Sequence, residues 1–140
     1  EILELDDEHI LASYTWKEED CEGHFPGYPV VPGVKLIEMA AQTGNVAWCI
    51  YHMSREIPRA EIEQMVGFFT GLEEASFKRV VRPGDRVAVL AEFGAEGFYR
   101  SNKLVTSVEI QFDGGSKDGE TVFTARLSGM FVPKTSEALR

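Results

Sequence analysis

From residue 32 the apolar positions crowd nearly the whole turn of a helix. Val34, Leu36, Ile37, Met39, Ala40, Ala41, Val46, Ala47, Trp48, Ile50 and Tyr51 leave little room for polar side chains. Pro32 is favoured in a first helical turn, and the composition that follows forms helix well, which predicts a helix over about 32–52. A helix apolar on nearly all sides is normally buried. Its polar residues, Lys35, Glu38, Gln42 and Asn45, recur at i, i+3, i+4 spacing and so share one narrow stripe. That stripe either faces solvent or carries chemistry. After Ser76 the period falls to two. Pro83 and Gly84 supply a turn, and Val87, Val89, Ala91 and Phe93 then share a face. Leu104, Val108, Ile110 and Phe112 alternate with Lys103, Ser107, Glu109 and Gln111, the pattern of a half-buried antiparallel strand. The run DGGSKDGE is rich in turn residues, and Phe123, Ala125, Leu127 and Phe131 mark one face of a last strand. One long buried helix followed by long strands predicts an α+β fold, with an antiparallel sheet packed around the helix.

Composition narrows the picture. A chain of 140 residues with 44% hydrophobic and 26% charged residues fits a single globular domain over 1–140, with its own core. The two cysteines, Cys21 and Cys49, form no metal-finger spacing, and Cys49 reads as a core thiol. No apolar run is long enough to span a membrane, and the acidic N-terminus does not read as a signal peptide, so the chain is expected to be cytoplasmic. A net charge of −9 argues against nucleic acid as a partner. The cations are uneven, however. Lys78, Arg79, Arg82 and Arg86 lie within nine residues that hold one acid, Asp85. They read either as a charged strand edge that discourages aggregation or as a docking patch for an acidic partner.

The segment GHFPGYPVVPG, residues 23–33, sets one histidine among three glycines and three prolines. Proline fixes φ and restricts the residue before it, while glycine permits unusual angles and close approach of a ligand. Such a segment holds one group in a fixed position. His9 and His52 have no comparable frame. The prolines at 26, 29 and 32 do not read as a polyproline ligand, because glycines interrupt them and a helix follows.

GHFPGYPVVPGVKLIEMAAQTG resembles the signature of the β-hydroxyacyl-acyl carrier protein dehydratases of type II fatty acid synthesis, and FKRVVRPGDRV resembles a second block of that family. The resemblance implies a hot-dog fold, a long central helix wrapped by an antiparallel sheet. It also implies a homodimer in which two sheets run on into one another, and for this branch a trimer of dimers. By residue match, His24 takes the place of the catalytic histidine and Glu38, fourteen residues on, that of the catalytic acid. Gln42 falls where the family orients that acid and a water, and Gly33 where a backbone N–H binds the thioester carbonyl. Glutamate rather than aspartate at 38 is typical of the branch that dehydrates without isomerising. The implied substrate is a (3R)-3-hydroxyacyl group on the phosphopantetheine arm of acyl carrier protein, with no cofactor and no metal.

The residue types suit that chemistry on their own account. Losing water needs a base for the C2 proton, which neutral histidine provides, and an acid for the leaving C3 hydroxyl, which a carboxyl of raised pKa provides. A glycine N–H at a helix N-terminus offers a donor to the developing oxyanion. Burial of Glu38 among apolar neighbours on the helix is expected to keep it protonated. The competing readings are a hot-dog thioesterase, in which the acid activates water, and a non-catalytic acyl-binding subunit that keeps the fold.

Overall fold

The alternating runs pair into one antiparallel sheet of seven strands, described here from a computed structural model that covers residues 1–21 and 27–139. The strands are β1 (Ile2–Leu5), β2 (His9–Thr15), β3 (Met65–Phe77), β4 (Arg86–Glu92), β5 (Phe98–Arg100), β6 (Lys103–Phe112) and β7 (Thr121–Pro133). Their order is β1-β2-β4-β6-β7-β3, with β5 hairpinned onto the start of β6. The three runs whose alternation is regular became β4, β6 and β7, and their apolar faces form the core: Val87, Val89, Leu104, Ile110, Phe123 and Leu127 are almost wholly excluded from water. β1, β2 and β3 carry no comparable signal. In β3 two register irregularities, between Phe69 and Gly71 and between Glu73 and Ser76, break the period of two.

The predicted helix lies against this sheet. It runs as α1 (Gly33–Ala41), a π-helical stretch Gln42–Ala47, and α2 (Trp48–Met53), and a short α3 (Arg59–Ile62) follows. Leu36, Ala40, Trp48, Cys49 and Met53 face the core. Trp48 stacks on Phe93 at 4.5 Å and donates from Nε1 to the Asp6 carbonyl at 2.9 Å, which ties the start of α2 to the residue after β4 and to the β1–β2 turn. Cys49 is buried as its sequence context suggests, and desolvation pushes its thiol up to about 12. No helix among the described residues is long and apolar enough to cross a membrane.

The π-helical stretch changes the polar stripe. A π-turn closes i→i+5 bonds and takes more residues per turn, so three positions cover less arc than in an α-helix. Lys35, Glu38 and Gln42 remain on the accessible side, but Asn45 is turned inward and is only 4% exposed. Gly44 packs directly on the sheet. A Cβ there would stand 2.7 Å from Val108 Cγ2 and 3.2 Å from the Ala91 Cβ. Gly44→Ala is therefore expected to destabilise the fold by about 1–3 kcal/mol through overpacking, more than the ~1 kcal/mol that alanine offers in a helix. Denaturant unfolding checks this, and an unchanged midpoint would mean the helix does not seat so closely.

Candidate active site

The approach to α1 is built from groups that cannot cap it. Pro32 has extended angles (φ −60, ψ 142) and makes no side-chain cap bond, and its carbonyl receives the N–H groups of Lys35 and Leu36 at 3.0 and 3.4 Å. Gly33 N–H has no hydrogen-bond partner among the described residues. Val31 N–H donates to the Val81 carbonyl at 2.8 Å, which pins this approach to the segment before β4. The Gly33 Cα lies against the Phe77 ring, and a Cβ there would come within 3.1 Å of it, so a larger residue would have to push the ring aside.

Glu38 follows on α1. Within one chain it is exposed, not buried among apolar neighbours as the helix pattern suggests, because it borders an open groove between the helix and β2. On that same helix Val34 and Ile50, 73% and 39% exposed, are likewise uncovered. Glu38 forms one wall of a groove of about 450 Å³, together with Lys35, Met39 and Gln42. The opposite wall is Tyr14, Trp16 and Asp20, over an apolar floor that includes Ala12 and Val89. Lys35 Nζ bridges the groove to the Asp20 carbonyl at 2.5 Å, and Tyr14 donates to the Asp20 carboxylate at 2.8 Å. The Lys17 backbone N–H, assisted by Tyr14, holds the Asp20 carboxyl below the usual range. The Trp16 Nε1–H is buried without an acceptor among the described residues.

Gly33, Glu38 and Gln42 thus belong to one helix, while His24 lies outside the described residues. Sequence reasoning missed the far wall of the groove. Trp16, Tyr14 and Asp20 come from β2 and the turn after it, and only the topology brings them to α1. Lys35 had a signal, its place in the polar stripe one turn before Glu38.

The four clustered cations are less uniform than their spacing implies. Arg79 pairs with Glu120 at 3.3 Å, and Arg86 pairs with Asp113 at 2.8 Å while also reaching Ser13. Arg82 bonds the Tyr28 hydroxyl at 2.5 Å and lies over its ring. The Lys78 ammonium and the Arg82 guanidinium have no acidic partner among the described residues, although the Arg82 backbone N–H donates to the Asp85 carboxylate at 2.8 Å. His9 is tied to Glu4 and Asp6, and its pKa is raised chiefly by the Glu4 hydrogen bond. His52 stacks on Tyr99 at 5.0 Å, and burial lowers its pKa.

The model of a family described as ApeI-like, ApeI dehydratase, matches residues 6–109. The 3-hydroxyacyl-[acyl-carrier-protein] dehydratase FabZ of Streptococcus pyogenes is 37% identical over 94 residues, which are 66% of this chain and 62% of that protein. The match therefore spans less than two thirds of the relative's length. Among solved structures, a thioesterase superfamily member of Thermus thermophilus is 18% identical with a TM-score of 0.66, covering 97% of this chain and 90% of the other. The PaaI protein of the Escherichia coli phenylacetic acid degradation operon is 16% identical with a TM-score of 0.65, covering 92% and 80%. At such identities the likeness is one of fold, the hot-dog arrangement of a central helix wrapped by an antiparallel sheet.

Proposed function

The chain belongs to the family of ApeI-like dehydratases, and from that premise we propose that it removes water from (3R)-3-hydroxyacyl thioesters on acyl carrier protein, giving trans-2-enoyl thioesters. The observation that carries the proposal is a carboxyl at the wall of an acyl-sized groove, on a helix whose first N–H has no partner among the described residues. Neutral His24 takes the C2 proton, and Gly33 N–H supports the negative charge that develops on the thioester oxygen. Glu38, protonated, gives its proton to the C3 hydroxyl as the C–O bond breaks and water leaves. Gln42, one turn on, orients the carboxyl and the departing water. Afterwards the histidine carries the proton and the glutamate is ionised, and transfer between them resets the site. Glutamate at 38 supports placing the chain in the branch that dehydrates without isomerising.

Two copies make this site. Gly33 and Glu38 are five residues apart, about 140° around the helix and ~7.5 Å along it, so they diverge where one substrate needs both. A second chain brings its own Glu38 to the first chain's His24 and Gly33. The outer edge of β3, thirteen residues long, pairs with no strand among the described residues, and Val66, Phe69 and Leu72 on β3 are 36–48% exposed. A long apolar edge of this kind invites strand pairing. A partner that brings its His24 to Glu38 also covers that helix, where one chain leaves Val34 and Ile50 exposed. Native mass spectrometry is expected to give dimers, or the trimer of dimers of this branch, and a monomer at micromolar concentration would count against the shared site.

The hydrolytic alternative rests on the thioesterase neighbours. A short 3-hydroxyacyl pantetheine thioester separates the two: enoyl absorbance without thiol release supports dehydration, and thiol release without enoyl supports hydrolysis. For the carrier, the contact is Lys78 and Arg82, whose side-chain charges have no acidic partner among the described residues. Lys78→Glu with Arg82→Glu is expected to raise KM for carrier-bound substrate severalfold at low salt and to leave the short thioester unaffected, since exposed charges are screened beyond ~10 Å at 0.1 M. Equal effects on both substrates would indicate damage to the fold instead.

A further inference from the structure

On the flank of the helix that faces β3 and β7 there is a second, smaller cavity of about 110 Å³. Gln42 lines both this cavity and the Glu38 groove, so the two meet at that side chain. The cavity walls are mostly apolar, with Val46 and Cys49 from the helix, Phe68 and Phe69 from β3, and Met130 and Phe131 from β7. The polar side chains are Gln42, which is exposed where the two cavities meet, and Asn45, which is buried. It is 96% buried by its 4% exposure, its Nδ2 reaches only Thr106 Oγ1 at 3.5 Å, and its Oδ1 has no partner among the described residues. Buried polar groups are nearly always satisfied, and leaving one unmet costs about 1–3 kcal/mol. The π-helical stretch is what turns this residue into the cavity, and such stretches are frequent at functional sites. Opposite it the backbone is kept bare: a Cβ on Gly129 would stand 3.3 Å from Asn45 Oδ1.

We infer that Asn45 is a specificity-determining residue that reads a hydroxyl on the far part of the acyl chain. The inference rests on the dehydratase reading for the position of the reacting end, and it names the substrate class: 3-hydroxyacyl chains that bear a second, distal hydroxyl. Asn45 is seven residues beyond Glu38, about 10 Å along the helix, so a chain whose C3 lies at Glu38 and which passes Gln42 brings a medium-length tail to the amide. A hydroxyl both donates and accepts, and so satisfies the amide whichever polar atom faces it. An alkyl tail leaves the amide unmet. Sites that hydrogen-bond a substrate hydroxyl discriminate strongly against the analogue that lacks it.

The test uses 3-hydroxyacyl pantetheine amides, in which N–H replaces the thioester sulfur, from hexanoyl to dodecanoyl, each with and without a terminal hydroxyl. Calorimetry on the intact protein is expected to show about tenfold or tighter binding of the hydroxylated member at one chain length. Asn45→Leu should abolish that preference and bind the plain alkyl member as well or better. The corresponding thioesters should show the same preference in kcat/KM. No hydroxyl preference at any length would overturn the inference, as would an Asn45→Leu variant that folds and keeps the preference. Should the variant fail to fold, the comparison of the two ligand series on the wild-type protein still decides. A hydroxyl preference in binding without enoyl formation would support the assignment of Asn45 and overturn the dehydratase reading alone.

Discussion

Glu38→Gln is expected to lower kcat by about 10²–10⁴-fold, and His24→Ala to do the same, because each removes one of the two proposed proton-transfer groups. Glutamine keeps the size and the hydrogen-bonding outline of glutamate but has no proton to give to the C3 hydroxyl. Glu38 is exposed in the single chain and makes no hydrogen bond or ion pair with another described residue. Unfolding midpoints should therefore stay close to wild type for Glu38→Gln. KM should change far less than kcat, since the lost interaction is made in the transition state. Near-normal enoyl formation by a folded Glu38→Gln or His24→Ala protein would reject that residue's role.

Mixing the two inactive variants should restore activity. If His24 of one chain works with Glu38 of its partner, a mixed dimer of His24→Ala and Glu38→Gln has one site with both lesions and one with none. Random pairing makes about half the dimers mixed, so unfolding the variants together and refolding them should recover roughly a quarter of wild-type activity. That is a gain of about 25- to 2,500-fold over either variant alone, given losses of about 10²–10⁴-fold for each. A site built within one chain would leave every site damaged. Mixed dimers seen by native mass spectrometry with no recovered activity would eliminate the shared site.

The helix and three of the strands were legible because their signals are local. Pro32 opens the helix, and strict alternation marks β4, β6 and β7. β3 was illegible because its bulges interrupt the alternation, Phe68 and Phe69 stand side by side, and within one chain neither of its faces is cleanly buried. β1 and β2 lie in an acidic stretch where β1 is exposed throughout and β2 buries Ser13 beside Ala12, so neither shows a clean period of two. In the site, His24, Gly33, Glu38 and Gln42 were readable as a motif. The burial expected of Glu38 was not found, since a sequence pattern reports how apolar a helix is and not which chain covers it. The inward turn of Asn45 depends on the π-helical stretch, for which the run QTGNVA carries no local signature.

The most direct measurement of the proposed chemistry is the mass of the intact carrier after reaction. Acyl carrier protein loaded with a (3R)-3-hydroxyacyl group is incubated with the protein, and the thioester-linked species are followed by mass spectrometry. The account predicts loss of one water from the acyl group, with the thioester to the carrier intact, reversed when the enoyl carrier is supplied instead. Carrier stripped to its free thiol, or carrier bound tightly but returned unchanged at every chain length, would contradict it.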